Sequence, residues 1–221
     1  MIWLLTAVSI LAAPQENPVP QSPIALVAAA DALSCNSHDN VCLSQEFALR
    51  GQADQSVRGV GIELICPRDD QPCINEAWHR INCENLARLV AVVDARGWPP
   101  LTGDAAMGAW LIVQHADATP ETDSAAFRDR MLPMILKEVE AGRLAPDTYT
   151  RMADRSALAR GELQPFGSIR TCREGEFDRT TVSSIKDADQ RRRDVGMDIL
   201  LSESLRLFDS LCARDAQQSG G

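Results

Sequence analysis

The chain has 221 residues and a formal net charge of −9, from 31 acidic and 22 basic side chains. That balance argues against nucleic acid as a partner. A hydrophobic fraction of 45% is enough for a globular protein to bury a core, and the length fits one domain better than two. All basic residues except Lys137 and Lys186 are arginine, a side chain suited to bidentate contacts with anions.

In chain order, Met1 to Ala13 reads as a secretory signal peptide. Ile2 to Leu11 is mostly apolar and too short to cross a bilayer, and the small residues Ala12 and Ala13 precede Pro14. No Lys or Arg precedes the apolar run, a departure from the usual pattern. The mature chain is expected to begin near Pro14, periplasmic or secreted, with no stable membrane insertion after cleavage. Residues 14–23 hold four prolines among polar residues and read as an extended leader. A single helical domain is expected over 24–215, with a disordered tail over 216–221.

Ile24 to Leu33 and Cys42 to Val57 read as helices, and Gly59 and Gly61 end the second. Asp54 and Arg58 share a face at i, i+4. Pro72 to Arg96 is the longest helix, with Ile74, Trp78, Ile81, Leu89, Val92 and Val93 as its apolar stripe. Gly97 terminates it, and Pro99 and Pro100 prevent its continuation. From about Asp104 to His115 runs a short helix that is apolar on nearly every side, and such a helix is buried. Its last residues, Gln114 and His115, continue the buried stripes, so two polar side chains fall where the pattern predicts core.

Thr119-Pro120-Glu121 is a helix-start signature for a segment reaching Gly142, in which Pro133 should introduce a kink. Pro146 to Gly161 follows, carrying Asp154 and Arg155. Around Glu174-Gly175-Glu176 the periodicity changes to that of a small hairpin. Asp189 to Val195 and Asp198 to Arg214 return to helix. The predicted class is mainly α: a single-domain helical bundle with a small β-hairpin near its C-terminal third.

Seven cysteines occur without a C-x-x-C spacing, which suits disulfides in an exported protein better than a zinc site. Local spacing predicts Cys35–Cys42 and Cys66–Cys73. Cys73 and Cys83 lie about 15 Å apart along one helix, too far to bond. Cys172, after a predicted strand, and Cys212, near the end of the last helix, are candidate long-range partners, which leaves Cys83 as the odd thiol.

The candidate site gathers His115, Asp154 and Arg155 as catalytic residues, with Asp54, Arg58, Gln114, Gln164 and Arg193 as ligand-binding residues. A histidine held by a carboxylate acts as acid or base near neutral pH; Asp154 is one candidate orienter and Asp117 another. Arg58, Arg155 and Arg193 are side chains that can clamp a carboxylate or phosphate. No zinc-protease, serine-hydrolase or P-loop motif occurs, and His38 and His79 lack ligand spacing with His115; neither metal nor cofactor is expected.

These motifs come in a fixed order: Asp54-Gln55-x-x-Arg58, Gly97-Trp98-Pro99, Gln114-His115, Asp154-Arg155, Gln164-x-Phe166-Gly167-Ser168 and Arg192-Arg193 before Gly196-Met197. The set, over roughly Gln52 to Leu211, resembles a bacterial family of uncharacterised proteins, a domain of unknown function. That family has Tyr where this chain has Phe166, and Thr where it has Ser168. The resemblance implies shared architecture and a shared polar site, without a known activity. Three functions follow from the residues: a binding or sensing domain for a small anionic ligand, a hydrolase or lyase with His115 as general base, and a structural or interaction protein of the cell envelope. The sequence assigns no oligomeric state.

Overall fold

The computed structural model describes residues 21–116 and 124–219. The segment read as a signal peptide, most of the proline-rich leader, Asp117 and Thr119-Pro120-Glu121 lie outside the described residues. Eight α-helices and one small hairpin are seen among them: α1 (Pro23–Ala32), α2 (Asn40–Arg58), α3 (Gln71–Arg96), α4 (Gly103–Gln114), α5 (Ser124–Glu140), α6 (Pro146–Ala159), β1 (Cys172–Arg173), β2 (Glu176–Phe177), α7 (Ile185–Asp194) and α8 (Leu201–Ser219). The protein is therefore mainly α, as its periodicities predict. α5 passes through Pro133 as one helix. α8 runs to Ser219, further than the tail boundary expected after residue 215.

Helix boundaries follow local chemistry. Asp39 caps α2 by accepting from the backbone N–H groups of Val41 and Cys42, and Asp70 caps α3 by accepting from Cys73. Each capped turn is also clipped covalently, by Cys35–Cys42 and Cys66–Cys73, and both second cysteines are the third residue of their helix. Gly97, at φ 80°, stops α3 where an L side chain would be strained. The third bridge joins Cys172 to Cys212, and Cys83 is free of disulfides. All four assignments agree with the spacing argument.

The largest core cluster lies around α4, whose Ala105, Ala106, Ala109, Trp110, Ile112 and Val113 meet Phe47 and Leu43 of α2, Leu89 and Val92 of α3, and Met131 and Ile135 of α5. A separate cluster of Phe177, Val182, Ala188 and Leu201 holds the hairpin against α7 and α8. There Asp209 of α8 accepts from the Phe177 N–H at 3.0 Å and from Arg179 at 2.7 Å. The bond from Phe177, followed by the Arg179 guanidinium, holds the Asp209 carboxyl below its usual range. A carboxyl with a depressed folded-state pKa adds stability above its unfolded pKa and loses it as pH falls through the lower folded value. The hairpin is therefore expected to loosen from α8 on acidification. Asp209→Asn should flatten that acid limb when hairpin amide exchange is followed against pH.

α2 and α4 lie side by side and run in the same direction, because Phe47 and Gly51 meet Gly108 while Asp54 meets His115 further along both helices. The approach is backbone to backbone. A Cβ on Gly51 would lie 2.5 Å from Gly108 Cα, and one on Gly108 would lie 2.1 Å from the Phe47 carbonyl oxygen. Gly108→Ala must push the helices apart and is expected to cost about 2–3 kcal/mol, read by urea denaturation.

Candidate functional site

The close passage of α2 and α4 brings together two side chains 61 residues apart. Asp54 is buried, with 1% side-chain exposure, and faces the ring of His115, which is 21% exposed. His115 Nδ1 lies 3.0 and 2.9 Å from the two Asp54 carboxylate oxygens. Nδ1 therefore carries the proton given to Asp54, and the lone pair of the neutral ring sits on Nε2. Among the described residues Nε2 has no hydrogen-bond partner. Asp54 also accepts from Gln55 Nε2 at 2.8 Å and from Arg58 Nη1 at 2.7 Å, so its charge is fully engaged.

Arg58 extends the cluster. Its Nη2 donates to Asn82 Oδ1 at 3.0 Å, and its guanidinium lies over the Trp78 ring, 5.6 Å from the centroid. Burial pushes the Arg58 pKa below the usual arginine value; Asp54 opposes this, and the positive charge of Arg155 adds to it. Arg155 is therefore near enough to be felt electrostatically. It reaches the site through Gln114: with the amide oxygen turned towards the guanidinium, Gln114 accepts from Arg155 Nε at 3.0 Å and from Nη2 at 3.3 Å. The expected contact between the Asp154-Arg155 pair and Gln114-His115 is thus made by Arg155.

Asp154 is elsewhere. It is buried and accepts from the backbone N–H groups of Phe166 and Ser168 and from the Ser168 hydroxyl. Burial raises its pKa, against the lowering effect of those bonds and of Arg192. The orienter of His115 is therefore Asp54, and Asp154 is a loop anchor. Helical periodicity put Gln114 and His115 in the interior but could not say which helix α4 touches.

Gln164 is likewise not in the site. Its amide holds its own loop, donating to the Ile169 carbonyl and accepting from the Ile169 N–H, at 3.0 and 2.9 Å. Arg193 is exposed on α7 and bonds Gln190 on the same helix. Its neighbour Arg192 is the buried one, donating to the carbonyls of Phe166, Gly167 and Ile199. Asp154 and Arg192 grip the 166–168 turn from opposite sides. Phe166 is buried edge-on against Tyr149.

Asn82 and Trp78 were not singled out as site residues by the sequence. The available signal was Asn82 itself, a polar residue four positions after Trp78 on the apolar stripe of α3. A second buried network escaped it too. Glu46 accepts from Arg50 and Arg88, while Arg50 also reaches Asn85 and Asp31. This group ties α1, α2 and α3 together with its charges matched, as architecture requires. Among the described residues no three His, Cys, Asp or Glu side chains are placed to hold a metal ion.

The fold and site define a disulfide-bonded, mainly helical protein in which one buried aspartate holds both a histidine and Arg58, with Arg155 on the neighbouring Gln114. No family model, no curated protein and no solved structure matches the chain.

Proposed function

We propose that the protein binds a small anion at His115, Arg58 and Arg155. The observation that carries this reading is the partly exposed imidazole, fixed at Nδ1 by buried Asp54, with its Nε2 side clear of described partners, Arg58 bonded to the same Asp54, and Arg155 close enough to Arg58 to be felt electrostatically. Protonated, His115 adds a third positive charge with a hydrogen-bond donor on Nε2, and the arginines supply planar donors suited to carboxylate or phosphate.

A second reading is a hydrolase or lyase in which His115 Nε2 takes a proton as general base. The Asp54 contact favours it, since a carboxylate on Nδ1 fixes the tautomer such a base needs. The protein is proposed to work in the periplasm or outside the cell. Its three disulfides fit an oxidising compartment, and no described helix is long and apolar enough to cross a membrane.

The test is nitrogen-resolved NMR of the three histidines during titration with inorganic phosphate and with acetate. The His115 ring signals should move, while those of His38 and His79 stay. In His115→Gln, anion binding followed by calorimetry should be lost with the melting temperature nearly unchanged. A lower melting temperature with no anion response in the wild type would leave His115 an architectural residue and defeat the proposal.

A further inference from the structure

A shallow groove of about 200 Å³ lies between α2 and α4, lined by Ala48, Gly51, Gln55, Met107, Gly108 and Leu111, with Gln52 and Asp104 completing its wall. Its floor is the glycine contact, where neither helix has a side chain to fill it. The lining residues on α2 and those on α4 each recur at i, i+3, i+4 and i+7, so they form two facing stripes. One more turn along the same stripes brings Arg58 on α2, three residues after Gln55, and His115 on α4, four residues after Leu111. Gln55 already belongs to both places, since its amide donates to Asp54. The groove and the anion site are thus one continuous surface.

The two ends of this surface differ in charge. Asp104, in the first turn of α4, marks the far end, and Arg58 with His115 marks the near end. Between them the walls are largely apolar, and Met107 is 38% exposed for a side chain that packs adaptably against varied shapes. A ligand lying here is oriented by charge: its acidic group is repelled by Asp104 and drawn to Arg58 and His115. The volume is below the roughly 300–1,000 Å³ of pockets for drug-sized molecules, which limits the apolar part to a short one.

We infer that the ligand is a short amphipathic anion, with its acid group at His115 and Arg58 and its apolar tail along the Gly51–Gly108 groove. This rests on the anion-site reading above and adds the identity of the tail and where it lies.

Straight-chain monocarboxylates from acetate to octanoate, together with inorganic phosphate, test it on the full chain by calorimetry and by the His115 ring signals. Affinity should rise by up to about fourfold per added methylene, then level off as the groove fills. Met107→Glu, which places a charge in the tail path, should remove most of that chain-length dependence. Met107→Ala, a milder change at an exposed position, should reduce it. Phosphate and acetate that move His115, with no gain from longer chains, would overturn the tail assignment and leave the anion site standing. A chain-length gain untouched by either Met107 variant would place the tail elsewhere and also overturn it. If no probe moves His115, the anion reading and this inference fall together.

Discussion

Replacing Asp154 by Ala is expected to destabilise the protein by about 3–5 kcal/mol, the range for removing one partner of a buried charged cluster. The carboxylate, itself fully buried, accepts two backbone N–H groups and one hydroxyl from the 166–168 turn. Its loss leaves these donors buried and unpaired, each at a cost of about 1–3 kcal/mol before relaxation. It also leaves buried Arg192 with only one of the two carboxylates that support its charge, Asp189. Asp154→Asn should cost less, because one amide oxygen remains to accept while its NH₂ group faces donors. Urea denaturation gives both values. The His115 ring signals provide the control, since Asp54 and not Asp154 holds that ring. A fully stable Asp154→Ala variant would show that the 166–168 turn is held without its anchor.

Removing the Cys172–Cys212 bridge with a double serine variant should cost about 4 kcal/mol, against about 2.4 kcal/mol for removing Cys66–Cys73, because the stabilisation grows with the logarithm of the loop closed. The separations are 40 and 7 residues. The long bridge ties β1 to α8, and the packing beneath it is a small cluster in which Phe177 meets Phe208 at 5.3 Å between ring centroids. Such a cluster is a poor substitute for a covalent link. Hydrogen exchange should therefore show α8 and the hairpin losing protection together, while α2, α3 and α4 keep theirs. Loss of protection spread evenly over all the helices would mean that the C-terminal elements do not open as a separate unit.

How much of this was legible in the sequence depended on the range of each interaction. The helices, the hairpin and the two short disulfides were readable because periodicity, caps and short cysteine spacings are local, and Cys172–Cys212 was what those left to pair. The burial of Gln114 was readable for the same reason: it continues an apolar stripe. What α4 packs against was not readable. Periodicity says which face of a helix is covered but not by which neighbour, so Asp154 and Asp117 stood as candidates for a role that Asp54 fills. The choice was made by Gly51 and Gly108, two residues whose contribution is the absence of a side chain. Residue type could not separate Arg193 from Arg192, and one position on a helix turns a side chain by about 100°, enough to exchange interior for solvent.

The Gly51–Gly108 contact also bears on how the site responds to temperature. Most distances between helices are set by side chains that exchange rotamers, so they drift and broaden on warming. Here the two backbones touch directly, so the spacing of the helices that carry Asp54 and His115 is set by main-chain atoms, which have no rotamers to explore. Warming should blur the placement of Arg58 and Trp78, which hang on long or exposed side chains, well before it changes the tautomer of His115. The imidazole should thus keep one proton position across the whole folded range, while the cationic rim around it becomes progressively softer.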